Sequence, residues 1–107
     1  MEESLWYLLA GTRGSENRAR IVRTLDEQPR NANRLSEAID LDYNTVRHHL
    51  DTLREHEVVV RSGDGYGAVY RLSDRFEANR EIYERVVETV EYSHTGGSGG
   101  GTPEGAE

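Results

Sequence analysis

The chain has 107 residues, 35% of them hydrophobic and 31% charged, with a formal net charge of −7 and no Cys. This balance favours one small globular domain with a charged surface, and it excludes disulfides, thiolate metal sites and cysteine nucleophiles. Because no apolar run reaches the roughly 18 residues of a membrane span and no signal peptide is visible, we expect a cytoplasmic protein without membrane contact.

The first elements are two helices. Residues 4–10 form a short apolar segment with large side chains on more than one side, so this helix must pack on another part of the structure. Ser15 is a good N-cap for a second helix over about 16–27, and its buried stripe contains Ala19, Ile21, Val22 and Leu25. Pro29 ends that helix. Residues 31–33 fit either a short strand or the cap of the next helix.

A helix-turn-helix is the central motif of the chain. Residues 34–39 form its first helix, residues 40–42 form the turn, and residues 43–55 form the second helix, which we call the recognition helix. The recognition helix has its apolar side chains at i, i+4 and i+7, which is one helical face, namely Val46, Leu50 and Leu53. Its other face is polar and suits the major groove of DNA.

A β-hairpin follows in the position of a wing. Residues 58–61 and 68–72 predict two strands around a glycine-rich loop, and together they give a wing over 58–72. Ser73 or Asp74 caps a last amphipathic helix over about 75–92, which covers either its own core or a partner's helix. Residues 93–107 predict a disordered, Gly-rich acidic tail.

The expected fold class is therefore mainly α with a small β-hairpin: a winged helix-turn-helix with additional N- and C-terminal helices over residues 1–92. This order of elements resembles the ArsR-like transcription regulators, especially their archaeal members. The resemblance spans residues 19–72. Its main mark is the run 42–50, which contains the pattern T-V-x-x-H-L at Thr45, Val46, His49 and Leu50. The other marks are Leu35-Ser36, Leu53, Val58-Val59 and Tyr70.

The resemblance implies a dimeric, sequence-specific repressor or activator whose terminal helices form the dimer. Two departures from the family pattern matter. His56-Glu57 stands where such proteins often have a left-handed Gly, so one of these two residues is expected in a less comfortable conformation. The cysteine pair of the metal-sensing branch is missing, so thiolate metal sensing is not carried over.

The charge distribution indicates an unusual solvent. Residues 15–75 contain ten Arg and eleven acidic residues, so most of the acidic excess lies outside the motif, and all thirteen basic residues of the chain are Arg. Abundant acid without Lys is what adaptation to very high salt would show, since salt screens self-repulsion and repulsion from DNA. We therefore expect a halophile's cytoplasm. A mildly acidic mesophilic domain that lacks Lys by chance is the alternative.

The candidate DNA-binding residues fall into three groups. The recognition helix offers Tyr43, Asn44, Thr45, Arg47 and His48, among which Asn can bond adenine and Arg can bond guanine. Phosphate clamps are expected from Arg30 and Arg34. The wing adds Arg61, Tyr66 and Arg71. For each group the alternative is ordinary solvated surface, and for the wing it is a plain hairpin with glycines for its turn.

Other motifs predict structure rather than chemistry. Asp42 is expected to be an N-cap and His49 a packed histidine. No His-x3-His pair exists and adjacent histidines do not chelate together, so no metal site is expected. No cofactor is expected, and no small-molecule effector is evident from the sequence. No nucleophile, base and acid occur together, so the chain is not expected to be an enzyme.

The sequence thus predicts a transcription regulator that binds double-stranded DNA as a homodimer, with its recognition helix in the major groove. The expected dimerisation residues are the apolar side chains of the two terminal segments: Leu5, Trp6, Leu9, Phe76, Tyr83, Val86, Val87 and Val90. The alternative is a winged-helix module that binds protein rather than DNA, which the acidic balance favours.

Overall fold

The computed structural model describes residues 1–98, apart from the side chains of Tyr66 and of residues 92–98. Within that part of the chain the helices are α1 (Glu2–Leu9), α2 (Ser15–Glu27), α3 (Ala32–Ile39), α4 (Tyr43–Glu55), α5 (Asp74–Ala78) and α6 (Arg80–Ser98). The strands are β1 (Arg30–Asn31), β2 (Val59–Ser62) and β3 (Val69–Leu72). This order confirms the prediction of a mainly helical winged helix-turn-helix.

The strands form one small antiparallel sheet in the order β1-β3-β2. Strands β2 and β3 are the predicted hairpin, joined by a loop that contains a short 3-10 turn over Gly65–Gly67. Both alternatives for residues 31–33 are partly right, because Asn31 belongs to β1 and also caps α3. Its side-chain oxygen accepts a hydrogen bond from the backbone N–H of Arg34 at 2.8 Å.

One hydrophobic core connects the helices to the sheet. Side chains from α1 to α6 and from β2 and β3 contribute to it, among them Leu8, Ile21, Leu35, Leu50, Val58 and Tyr70. The recognition helix is thereby fixed on its inner face. In the described part of the chain, no helix is both long and apolar enough to cross a membrane.

Two predicted helix boundaries were wrong. Gly14, not Ser15, is the N-cap of α2, because Gly14 has a left-handed φ of 86° and the helix already begins at Ser15. The helix predicted over 75–92 is broken at Asn79, where φ is −115°. The side-chain amide of Asn79 donates to the carbonyl of Arg75 at 2.8 Å and so caps α5.

Helix α6 runs to Ser98, six residues beyond its predicted end at 92. Residues 99–107, which make up most of the predicted tail, lie outside the described residues. The disordered tail stays a prediction there.

The terminal helices pack on their own chain, which changes the role of most predicted dimerisation residues. The side chains buried within one chain are Leu5, Leu9, Phe76, Tyr83 and Val86. The rings of Phe76 and Tyr83 meet edge to face at 4.9 Å between centroids. These five residues are therefore core residues, and only Trp6, Val87 and Val90 keep partly exposed side chains.

Candidate nucleic-acid interface

The turn of the helix-turn-helix is fixed by two aspartates. Asp40 ends α3 with a left-handed φ of 54°, and the N–H of Leu41 returns to the carbonyl of Ser36 at 3.0 Å. Asp42 then caps α4, as predicted, by accepting from the N–H of Thr45 at 3.1 Å. Both ends of the turn are thus closed by hydrogen bonds, which sets the angle between the two helices.

The start of α4 is a mixed surface. Asn44 and His48 are exposed, one helical turn apart, on the face opposite the buried stripe of Val46, His49, Leu50 and Leu53. Thr45 is half-buried, and its hydroxyl donates to Asp42 at 3.4 Å. The hydroxyl of Thr45 is therefore turned towards the cap, which leaves Asn44 and His48 as the outward-facing pair.

The exposed face of α4 changes sign along its length. Asn44, Arg47 and His48 in the first two turns include no acid, whereas Asp51 and Glu55 follow on the same exposed face in the last two turns. Arg54 is also exposed in this second half and lies 3.7 Å from Asp51, which leaves a net negative charge there. The N-terminal half, which is the end that a recognition helix presents to base edges, carries no such excess of acid.

Arg47 lies against Tyr43 rather than extending into solvent. Its Nη1 donates to the Tyr43 hydroxyl at 3.3 Å, and its Nε is buried without an acceptor among the described residues. The hydrogen bond to Tyr43, followed by the electrostatic influence of Tyr70, raises the pKa of Arg47. The positive charge of Arg47 is therefore positioned at the edge of the core by its hydrogen bond to Tyr43.

The two predicted phosphate clamps differ. Arg34 is exposed on the first turn of α3. Arg30 lies in β1 with only 18% of its side chain exposed, and its Nη2 forms an ion pair with Glu27 at 3.2 Å. Arg34 can reach a ligand freely, whereas Arg30 is already partly committed within the chain.

The wing residues also divide. Arg71 is exposed at the base of the wing, where its Nη1 donates to the carbonyl of Leu72 at 3.1 Å and lies 3.8 Å from Asp74. Arg61 is half-buried and pairs with Tyr70 across the sheet. The side chain of Tyr66 lies outside the described residues. The two arginines predicted for the wing therefore lie in different surroundings, since Arg71 is exposed and Arg61 is half-buried.

The left-handed residue expected after the recognition helix is Glu57, with a φ of 63°. This confirms the prediction made from the missing Gly. The conformation is held because the carbonyl of Glu57 accepts from the Ser73 hydroxyl at 2.6 Å, and its carboxylate pairs with Arg75 at 2.5 Å. These contacts also tie the end of α4 to the start of α5.

A buried arginine behind the recognition helix was missed by the sequence reasoning. Arg18 is 6% exposed, and no carboxylate in the described part of the chain lies within ion-pair distance of it. Its guanidinium instead donates to four neutral acceptors: the carbonyls of Leu8 and Arg13, the hydroxyl of Thr12, and Nδ1 of His49. Arg18 therefore links the end of α1, the α1–α2 loop and α4.

A signal for this position was present in the sequence. Arg18 precedes Ile21, Val22 and Leu25 by three, four and seven residues, which places it on the buried stripe of α2. An arginine in such a stripe is either at its edge or a buried donor, and only packing distinguishes the two.

His49 is the partner of Arg18 on the recognition helix. It is 7% exposed, as expected of a packed histidine. Because arginine can only donate, Nδ1 of His49 accepts at 3.4 Å and the ring proton lies on Nε2. Burial, then the charge of Arg18, lowers the pKa of His49. A neutral His49 is therefore part of this arrangement.

The comparisons with known proteins agree with this geometry. Residues 14–61 match the family model described as a helix-turn-helix domain. No curated protein matches the chain. The matched residues include both helices of the predicted helix-turn-helix.

Solved structures show the same fold at low sequence identity. One is a homodimeric winged helix-turn-helix DNA-binding domain from Mycobacterium bovis, described as a possible ArsR-family transcriptional regulator; it has a TM-score of 0.66 and 20% identity, with 86% of this chain and 82% of that chain covered. The antimony-specific transcriptional repressor AntR has a TM-score of 0.65 and 18% identity, with 85% and 78% covered. A MarR-family transcriptional regulator from Silicibacter pomeroyi has a TM-score of 0.63 and 19% identity, with 87% and 63% covered.

Proposed function

We propose that this chain is a sequence-specific, DNA-binding transcription regulator of the ArsR-like type that acts as a homodimer. The observation that carries the proposal is the acid-free first half of α4, where Asn44 and His48 face outward from a capped and rigidly packed helix. The helix-turn-helix match over residues 14–61 supports it. Two recognition helices would enter successive major grooves of an inverted repeat, with half-sites about 34–36 Å apart.

The test is selection of duplexes from a randomised DNA pool in molar KCl, followed by affinity measurements on the selected site. Asn44→Ala is expected to weaken binding by about 1–3 kcal/mol on that site and to relax the preference at one base pair. Glu55→Gln is the matched control, because Glu55 is exposed on the same helix but lies in its acidic half. Enrichment of no sequence would refute the function.

Dimer formation is the second part of the proposal. Trp6, Val87 and Val90 remain partly exposed at the terminal helices. Val87 and Val90 line a shallow groove together with Leu9, Ala19, Arg23, Val86 and Glu91. The Mycobacterium bovis neighbour is described as homodimeric, which supports the same arrangement here. Val90→Glu is expected to give monomers in light scattering, whereas Thr89→Glu, at an exposed neighbouring position, is expected to leave dimers intact. A monomeric wild type would overturn this part.

A halophile's cytoplasm is the proposed setting. Thirteen Arg, no Lys and a net charge of −7 support it. At roughly 1 M salt the Debye length is about 3 Å, so the acidic surface hardly repels DNA at a distance. The stability of the fold is therefore expected to be higher in molar KCl than in dilute buffer. Full stability in dilute buffer would contradict this setting.

A protein-binding module is the second candidate function. The acidic second half of α4, with Asp51 and Glu55 exposed, is the observation that favours it. On this hypothesis α4 docks on a basic protein surface, and no duplex is enriched in the selection. Sequence enrichment that depends on Asn44 would exclude it as the main function.

A further inference from the structure

The sheet register places two arginines on either side of one buried tyrosine. Arg30 of β1 and Arg61 of β2 are both direct cross-strand partners of Tyr70 in the central strand β3. Directly opposed residues project from the same face of a sheet, and neighbouring strands are about 4.8 Å apart. Arg30, Tyr70 and Arg61 therefore form one row on one face of the sheet, the face on which Tyr70 is buried.

The recognition helix adds a third arginine to this row. Arg47 donates to the Tyr43 hydroxyl at 3.3 Å, and Tyr43 packs against the core cluster that contains Tyr70. Tyr70 also acts electrostatically on Arg47. Arg47 of α4 therefore lies on the same side of the sheet as the row formed by Arg30, Tyr70 and Arg61.

The hydrogen-bond donors of this cluster are incompletely used. The Nε atoms of Arg30 and Arg47 are both buried and have no acceptor among the described residues. A buried donor without an acceptor destabilises the chain, so a ligand that supplies the acceptor is favoured there. These two atoms are the buried side-chain donors of the described chain that lack a partner, and both lie in the same cluster.

The charges of the cluster are also incompletely balanced. Glu27 pairs with Nη2 of Arg30 at 3.2 Å. Asp51 pairs with Arg54 at 3.7 Å. Among the described residues, the ion pair between Arg30 and Glu27 is the one that a carboxylate forms with these three arginines. In a chain with a net charge of −7 this is a local excess of positive charge.

We propose that Arg30, Arg47 and Arg61 together hold one phosphate group. Guanidinium groups bind phosphate oxygens in bidentate fashion, and a phosphate offers enough acceptors for several of them. The expected source is a phosphodiester of the DNA backbone, so the inference rests on the proposed function. Arg47 then anchors the backbone at the start of α4, and base reading falls to Asn44 and His48.

The site accounts for how an acidic chain can engage DNA. Phosphate contacts fix the register of a protein on the duplex, whereas base contacts supply sequence preference. A phosphate held between α4 and the wing would position Asn44 and His48 over the groove. This differs from the expectation that Arg47 reads guanine.

The experiment measures the salt dependence of binding to a short duplex of mixed sequence. Arg47→Gln and Arg61→Gln are each expected to reduce the slope of log affinity against log salt by about 0.9, the value for one phosphate. The double variant is expected to lose no more than either single variant, because both side chains hold the same phosphate. Arg85→Gln, on the exposed side of α6, is the control and is expected to keep the wild-type slope.

A second readout separates the site from the function. Arginine side-chain Nε–H resonances of the wild type are followed by NMR while inorganic phosphate replaces chloride at constant ionic strength. Shifts at Arg30 and Arg47, absent in Arg61→Gln, with DNA binding as expected, support a backbone phosphate. The same shifts without DNA binding would support a free oxyanion site and refute the proposed function.

The inference is overturned by either of two results. One is a wild type that binds DNA while Arg47→Gln and Arg61→Gln keep the wild-type slope of log affinity against log salt, or while the double variant loses the sum of the two single losses. The other is the absence of phosphate-induced shifts at Arg30 and Arg47 in a chain that also fails to bind DNA. Thermal unfolding of each variant checks that a lost slope does not come from lost folding.

Discussion

Replacing Arg18 with Met tests whether the buried guanidinium stabilises the fold. The substitution keeps much of the side-chain volume but removes the charge and all donors. Arg18 donates to the carbonyl of Leu8 at 2.8 Å and to the Thr12 hydroxyl at 2.5 Å, with longer bonds to the carbonyl of Arg13 at 3.2 Å and to His49 at 3.4 Å. After the change the carbonyl of Leu8 and Nδ1 of His49 remain buried without this donor, whereas the acceptors on Thr12 and Arg13 are only part-buried.

Two effects of opposite sign decide the magnitude. Each hydrogen bond from a charged donor contributes about 1.5–3 kcal/mol, and the two short bonds belong in that range. Removing a buried charge returns several kcal/mol of desolvation free energy. We expect a net loss of about 2–4 kcal/mol in the free energy of unfolding, because the acceptors that stay buried lose their hydrogen bonds and gain no water in exchange. For a domain of this size that loss lowers Tm by roughly 10–30 °C.

The assay is urea unfolding followed by far-UV circular dichroism in molar KCl, with every variant at the same protomer concentration, because dimer formation would couple stability to concentration. Arg13→Met is the matched control. Arg13 is exposed, so the same chemical change there is expected to alter stability by less than about 0.5 kcal/mol. An Arg18→Met variant as stable as the wild type would show that the desolvation free energy of the charge fully offsets the four bonds, and the reasoning would be refuted.

Three further substitutions test the contacts around this node and at the α2–α6 junction. Gly14→Ala is expected to destabilise the chain by about 1–3 kcal/mol in the same assay, because φ is +86° and a Cβ would lie 2.8 Å from His49 Cε1; an unchanged stability would contradict the close approach. The pKa of His49 is held below its unfolded value of about 6.5, so the unfolded chain binds the proton first and stability falls as pH drops below that value. His49→Gln is expected to flatten this pH dependence by up to about 1.4 kcal/mol per pH unit, whereas His48→Gln, at an exposed position, should not. Arg80 donates to both carboxylate oxygens of Asp26, at 2.7 and 3.1 Å, and lowers the pKa of Asp26. Arg80→Gln is expected to reduce the free energy of unfolding by about 1 kcal/mol near neutral pH. It is also expected to weaken the decline of stability as the pH falls through the acidic range. An unaltered acid limb in that variant would argue against the pair.

The helix-turn-helix could be predicted because its signals are local. The spacing of Val46, Leu50 and Leu53 indicates one helical face whatever surrounds it. The cap at Asp42 and the left-handed residue at Glu57 follow from the chain within a few positions of each, and both were found in the structure. Such features depend on residues that are close in the chain, so they can be predicted from the sequence.

The candidate site was only partly predictable. Asn44 and His48 face outward as expected, but Thr45 turns to its cap and Arg47 lies against Tyr43. Helical periodicity places a residue on a face, yet the direction of a long side chain depends on its partners. The row of Arg30, Tyr70 and Arg61 could not be predicted, because it depends on the register of three strands. The alternation of residues along each strand does not specify that register.

The sequence by itself determined the order of helices and strands, the turn of the motif and the polar face of the recognition helix. Only the tertiary structure decided what covers each apolar stripe: Leu5, Phe76 and Val86 are buried by their own chain rather than by a partner. It also decided that Arg18 lies inside, next to His49. The physical reason is that periodicity shows that a face must be covered, whereas the identity of the covering surface depends on contacts between residues far apart in the chain.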